Sequence, residues 1–338
     1  MIGALPAGWL WPSGPGQVQS VPVAITSRAV VACAYGGPEV LRLVDVDPGE
    51  PGPGNVLVEV RAAGVNPTDW KAYAGVYGTN PENLPMRLGY EVSGVVSAVG
   101  PSVRWLSPGD EIIAWRVKGG YADRIVVSEQ VTVRRPANLE WPAAAGLLLA
   151  GATAVHTLSA TGTRDGDVVL VHGGSGGVGR MVVQLAVLRG AQVIATASPR
   201  HHDDLRDLGA NPVAYGDGLL ERVLEATRHT GAVTVAIDTV GTDEALDTSV
   251  ALVADRDRVA TIAGFGRAGD LGIKALGGGP GADPGTAVRE AARAQLAELA
   301  SDGTLDVRVA RTYPLADVAQ AHRDGQAGHS AGKLVLVP

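Results

Sequence analysis

Val168-Val-Leu-Val-His-Gly-Gly-Ser-Gly-Gly-Val-Gly179 runs directly into Arg180-Met-Val-Val-Gln-Leu-Ala-Val-Leu-Arg189. Four β-forming residues lead to Gly174-x-Gly176-x-x-Gly179, and an apolar run of helical period follows. Three glycines at that spacing mean little alone. Between an expected strand and an expected helix they form a dinucleotide-binding fingerprint. Gly174 permits the tight turn, Gly176 admits a pyrophosphate to the backbone, and Gly179 lets helix and strand pack closely. Ser175, Gly177 and Val178 complete the loop, and the helix start offers free N–H groups and a positive dipole end to phosphates. The competing reading is an ordinary loop in a chain of 46 glycines. The strand and helix on either side argue against it.

The rest of the composition sets bounds. A chain of 338 residues suits roughly two domains. Its 28 basic and 35 acidic residues give a formal charge of −7, which disfavours a nucleic-acid or anionic-membrane surface. The single cysteine, Cys33, excludes an intramolecular disulfide and a cysteine-rich zinc site, and fits a cytoplasmic protein. No stretch reads as a membrane span; the nearest, Trp141 to Val155, is short and rich in Ala and Gly. The first 27 residues have no basic start and no periodicity, so they read as an extension dispensable for turnover, although Trp9 and Trp11 could dock on the surface.

Along the chain, short Val- and Ile-rich strands are expected at 29–33, 41–46, 56–63, 92–99, 111–115 and 122–127, separated by Gly-Pro and Pro-Gly pairs. That is a barrel-like β module with few helices. Residues 141–160 read as a helix leading into a second module. There, strands near 168–172, 192–197, 212–215, 233–238 and 257–263 alternate with helices, which predicts βαβ units and a parallel sheet. A strand at Gly272–Leu276 follows a loop. The remainder reads as a helix near 284–300, a strand near 307–310, a helix at 315–324 and a closing strand at 333–337.

Four stretches together resemble the medium-chain dehydrogenase/reductase superfamily, in its zinc-independent quinone-oxidoreductase (zeta-crystallin-like) branch. They are Gly64-Val-Asn66-Pro67-Thr-Asp69, Gly89-Tyr-Glu91-Val-Ser-Gly94-Val-Val-Ser-Ala-Val-Gly100, Pro108-Gly-Asp110 and the glycine loop. The resemblance implies an α/β protein, with a GroES-like β-barrel domain and a Rossmann doubly wound parallel-sheet domain. The expected divisions are an extension at 1–27, a GroES-like part at 28–148, a dinucleotide-binding domain at 149–280 and a returning segment at 281–338. Zinc-dependent relatives carry Cys near positions 64–66, His at position 90 and a four-cysteine loop. Here Gly-Val-Asn and Tyr90 stand instead, and the seven histidines show no ligand spacing, so a metal-free enzyme is expected. His201 and His202 read as solvated, and His172 as a packing residue.

The second strand of the βαβ run ends in Ser198-Pro199-Arg200, without the acid that binds a ribose 2′-OH in NAD-binding folds. Ser198 and Arg200 offer a hydroxyl and a guanidinium, which suit a 2′-phosphate. Similar proteins also use a Tyr after the third strand, here Tyr215, so NADPH is the expected cofactor. Arg200 could alternatively just start an exposed helix. Hydride from NADPH, without a metal to polarise the acceptor, suits a quinone or an α,β-unsaturated carbonyl compound.

The resemblance puts Asn66 at the nicotinamide–substrate junction and Tyr77 in the active-site cleft, with Tyr73 as runner-up. Asn66 could instead simply form a turn, Tyr77 could pack by its ring, and Lys71 with Asp69 reads as a local charge pair. The family brings Thr153 to the nicotinamide, where a small packing residue is the alternative, and Ala263 would line the ring through its backbone. Two other functions stay open: reduction of an enoyl thioester, and a non-catalytic NADPH-binding protein. The outer strand Gly272–Leu276 reads as an exposed sheet edge, which implies a homodimer; Lys274 as a gatekeeper is the alternative.

Overall fold

The computed structural model describes residues 26–328 and 330–338. Trp9 and Trp11, and with them the expected role of the extension, lie outside the described residues.

The antiparallel part is built around one long strand, Asn55–Val65. Residues 56–58 are buried in succession, residues 58–62 alternate between core and surface, and the end is buried on both faces where the helix Trp141–Ala144 packs on it. One edge pairs with Glu91–Val99 along its length. The other is shared: residues 55–59 pair with Arg124–Ser128, and residues 63–65 with the closing strand Lys333–Val337. Glu111–Trp115 and Thr132–Arg134 extend the sheet on one side and Val309–Pro314 on the other. A second sheet joins Ser27–Ala32 to Leu41–Val46 and Met86–Arg87. The strands read from sequence are present within a few residues; the strands Met86–Arg87 and Thr132–Arg134 and the helix Pro67–Tyr73 were not anticipated. That helix starts at Asn66, with Pro67 at its first position and the Asp69 carboxylate accepting the Asn66 N–H at 2.8 Å. Pro at the first position and an acid two residues later are start signals that N-P-T-D carries.

The second module is a six-stranded parallel sheet in the order Ala210–Val213, Gln192–Thr196, Val168–His172, Val235–Asp238, Val259–Thr261, Lys274–Ala275. Counted along the chain this is 3-2-1-4-5-6, the doubly wound Rossmann order, with its reversal beside Val168–His172. Every residue of that strand is buried. Helices Gly177–Leu188, His202–Asp207, Leu219–Thr230, Asp243–Leu252 and Phe265–Leu271 connect the strands. The expected helix at 141–160 is two: Trp141–Ala144 and Leu148–Ala160, separated by a turn. Counted through that turn, Trp141–Ala160 spans 20 residues, long and apolar enough to cross a bilayer, contrary to the sequence reading, but it is mostly buried. It packs as a core element against Gly177–Leu188 and Thr286–Ser301.

Two expectations are revised. The outer strand is only Lys274–Ala275, and it is not a bare edge. Ala275 O accepts from Asp283 N at 2.9 Å, and Gly277 N donates to Asp283 O at 2.7 Å. Lys274 turns inward to Ala160 O at 2.8 Å and lies 3.5 Å from Asp257. The short loop doubles back over the end of the strand and bonds to Ala275 O and Gly277 N through Asp283.

His322, on the helix Val318–Ala327, is sealed in the antiparallel module between three rings. Its Nδ1 pairs with the Tyr73 hydroxyl at 2.9 Å and its Nε2 with that of Tyr121 at 3.3 Å. Burial pulls its pKa down to about 4. Such a depressed base stabilises the fold fully above its ordinary value near 6.5, and that contribution is lost as pH falls through the folded value. The loss should reach up to about 3 kcal/mol. The Tm advantage of the parent over His322→Gln should therefore shrink steadily between pH 7 and pH 4.5; a constant difference would contradict the buried neutral imidazole.

Candidate functional site

A cleft of about 790 Å³ opens at the carboxyl ends of the parallel strands, between that sheet and the antiparallel module. Its floor is the glycine loop, with Gly173, Ser175, Gly176, Gly177 and Val178 on the wall. The tight turn is made at Gly173, whose φ of 76° lies in the left-handed region, and not at Gly174 as expected. Gly174 instead packs against the next strand, where a Cβ would sit 2.7 Å from Ala195 Cβ. A Cβ on Gly179 would lie 2.1 Å from the Gly173 carbonyl oxygen, so helix and strand meet backbone to backbone. At Gly176 the space is open apart from Gly173 O at 3.4 Å. The helix Gly177–Leu188 begins here without a side-chain cap. Its first N–H groups, unbonded within the helix, point toward the cleft as an anion site.

At the end of the strand Gln192–Thr196 the wall is formed by Ser198, Arg200, His201 and Tyr215. The Ser198 and Tyr215 hydroxyls lie 3.0 Å apart, and Arg200 Nε donates to His201 Nε2 at 3.1 Å. Burial and the neighbouring Arg200, Arg308 and Arg180 hold the His201 pKa below its usual value. His201 was read as solvated; it lines the cleft. His202 turns away toward Ala197 O at 3.2 Å. One acid reaches this end, Glu244, but from another helix, with a carboxylate oxygen accepting the Gly216 N–H at 3.0 Å.

At the opposite end, Asn66, Trp70, Lys71, Ala263 and Lys333 come together. Asn66 is buried; its Nδ2 donates to Gly64 O at 3.1 Å, and its Oδ1 accepts from Lys333 Nζ. Lys71 does not pair with Asp69. Its ammonium lies 5.3 Å from the Phe265 ring centroid, and burial lowers its pKa. Asp69 is consumed by the Asn66 and Gly89 backbone N–H groups, and burial raises its pKa to about 6. Besides the packed Gly174 and Gly179, the expected Thr153, Tyr73 and Tyr77 stand apart from the cleft wall. Thr153 is buried one turn beyond the lining Leu149 and Ala150, with its hydroxyl donating to Leu149 O at 2.8 Å. Tyr73 is fully buried on His322. Tyr77 is 41% exposed, with its hydroxyl 3.3 Å from that of Thr68.

His172, read as packing, lines the cleft with both ring nitrogens buried and unpaired. Burial pulls its pKa down to about 4, so the ring is neutral and can donate or accept one hydrogen bond with a bound group. Among the described residues, no group of three or more His, Cys, Asp or Glu side chains could hold a metal ion.

The chain matches the alcohol dehydrogenase GroES-like domain over residues 52–137 and the zinc-binding dehydrogenase family over residues 208–336. A quinone oxidoreductase of Pseudomonas aeruginosa is 33% identical over 92% of this chain and all of that protein. A chloroplastic NADPH-dependent alkenal/one oxidoreductase of Arabidopsis thaliana is 37% identical over 54% of this chain, spanning about half (51%) of that protein. Among solved structures, the Coxiella burnetii quinone oxidoreductase is 30% identical over 93% of this chain and 99% of its own, with a TM-score of 0.78. The Escherichia coli quinone oxidoreductase complexed with NADPH is 26% identical, covers 92% of this chain and 100% of its own, and has a TM-score of 0.80.

The contact at Gly179 yields a direct test. Gly179→Ala should destabilise the protein by about 1–3 kcal/mol, because neither backbone can move aside. Chemical denaturation would read this as a lower midpoint at unchanged slope; an unshifted midpoint would mean that the loop accommodates the methyl.

Proposed function

This chain belongs to the medium-chain dehydrogenase/reductase superfamily, in its quinone-oxidoreductase branch, and on that premise we propose that it is an NADPH-dependent, metal-free reductase of quinones or α,β-unsaturated carbonyl compounds. The observation that carries this reading is a single cleft joining an anion-binding glycine loop, a donor-rich end at Ser198, Arg200 and Tyr215, and a far end at Asn66 and Lys71. We assign the 2′-phosphate to Ser198, Arg200 and Tyr215, with His201 added, and the pyrophosphate to Ser175 through Val178. Ala263 would bound the nicotinamide, which supplies hydride when bound. Thr153 supports that end through the helix rather than by contact.

In this reading Asn66 touches the junction of nicotinamide and acceptor. Hydride addition to a conjugated acceptor drives charge onto its carbonyl oxygen, and donors aimed there lower the barrier. Asn66 offers an amide donor for that purpose, and Lys71 is a cation on the same wall with a weakened hold on its proton. Tyr73 is withdrawn from this role because its hydroxyl is committed to His322. Tyr77 keeps a place at the rim, where its exposed phenol could reach a bulky acceptor. Tyr90 stands where zinc-dependent relatives carry His, which supports the metal-free reading. The exposed free thiol of Cys33 supports a cytoplasmic setting.

The domain divisions stand as a proposal: GroES-like from 28 to 148, dinucleotide-binding to 280, and a returning segment to 338. A homodimer on the outer sheet edge also belongs to this reading, although it must extend past the Asp283 bridge. Light scattering should give about twice the chain mass, and a monomer at micromolar concentration would remove it.

Two measurements test the chemistry. NADPH absorbance followed across quinones, enones and enoyl thioesters should fall fastest with the first two classes. Preference for thioesters would favour enoyl-thioester reduction, and no turnover would favour a non-catalytic binding protein. Rates should also survive dialysis against a strong chelator. Arg200→Ala should then weaken NADPH roughly ten- to a hundredfold, from the loss of a charged hydrogen bond of about 1.5–3 kcal/mol, with NADH almost unchanged. Equal losses for both would refute the phosphate assignment.

A further inference from the structure

Lys333 is fully buried among polar groups, yet its ammonium is not placed on a carboxylate. Its Nζ donates to Asn66 Oδ1 and lies 3.3 Å from Val65 O. The stem reaches that point through a channel kept open by two glycines. A Cβ on Gly177 would sit 2.9 Å from Lys333 Cδ, and one on Gly146 would sit 3.0 Å from its Cγ. Just before the lysine, Gly332 forms a backbone bridge to Gly176, and its N–H donates to Ser175 O at 3.0 Å. The same short segment therefore grips the glycine loop and delivers a cation to Asn66.

We propose that Lys333 is a positioning residue that holds the Asn66 side-chain amide in one orientation, oxygen tied back to the ammonium and nitrogen turned to Gly64 O. The inference rests on the reading of Asn66 given above. Without the lysine, the amide could rotate about its last bond and exchange oxygen for nitrogen. An ammonium has donors only, so it meets the amide oxygen and excludes the flipped form. With the oxygen held, the amide nitrogen is turned to Gly64 O, and the Asn66 side chain also acts as a hydrogen-bonding group on the buried Glu91 carboxylate. The plainer role for Lys333 is to offset the buried acids Glu91 and Asp69, which act on it electrostatically. That role alone would not require contact with Asn66, and the ammonium sits on the Asn66 oxygen rather than on either carboxylate.

The test compares Lys333→Met, Asn66→Ala and the combined variant with NADPH and a quinone, beside a readout that needs no turnover. Lys333→Met should lower kcat about 10- to 100-fold, the scale of a small misplacement at the reacting centre, with quinone KM and NADPH affinity within about threefold. The combined variant should be no slower than Asn66→Ala alone, because the lysine acts through the asparagine. In the ligand-free protein, NMR should show the Asn66 side-chain amide protons exchanging at least about tenfold faster without the lysine. Should Lys333→Met fold poorly, Lys333→Met with Glu91→Gln removes the uncompensated acid and takes its place in every measurement. Unchanged amide exchange in a folded variant, or multiplying losses in the combined one, overturns the proposal. If Asn66→Ala itself leaves turnover intact, the functional reading of Asn66 fails, while the amide exchange still decides whether Lys333 holds it.

Discussion

The shortest approach in the molecule that matters for its cleft is between the Gly173 carbonyl and the start of the helix at Gly179. No side chain fits between them. Strand Val168–His172 therefore hands over to the helix with no slack, and the helix axis points its positive end into the crevice where the sheet order reverses. Gly174 fixes the loop against the second strand and Gly176 against the returning segment. A loop often called flexible is here clamped on three sides, which lets its N–H groups be arranged before any phosphate arrives.

The second constraint is the returning segment. Lys333–Val337 is a strand of the antiparallel sheet, paired with residues 63–65, while its neighbour Gly332 is bridged to the glycine loop. The two modules thus share a backbone connection at the cleft, and Asn66 and Lys333 meet across it. This junction buries Asp69, Glu91 and Lys333, with burial raising the Asp69 pKa to about 6 and the Glu91 pKa to about 7. Apolar residues of similar volume would often stabilise such a place equally well or better. The cost is concentrated where orientation counts.

Much of this was legible in the sequence because its signals are local. The strand–loop–helix at 168–189 and the alternation after it specify the parallel sheet, and the missing acid after Thr196 draws attention to Ser198 and Arg200. What was not legible depends on contacts between distant residues. Tyr73 and Tyr77 lie on the same short segment, and nothing nearby shows that His322 captures one and leaves the other in solvent. Lys71 and Asp69 look paired by proximity, yet Asp69 serves as the helix start's internal cap. Thr153 lies one turn from the lining Leu149 and Ala150, a difference that only the helix packing reveals. His172 was read as packing; only the fold shows that it lines the cleft with both ring nitrogens buried and unpartnered. Lys333 carried no signal at all, since its partner is 267 positions away.

That separation has a consequence for how the protein is made. During synthesis from the N-terminus, Asn66 and the entire glycine loop emerge before the strand that joins them. A nascent chain that has extended only through the parallel sheet has a cleft with one wall loose. It also exposes the unpaired edge of residues 63–65 and two acids without their counter-ion. Chaperones that recognise open strand edges would find their target there, and translation speed over the last stretch would govern how long that target persists.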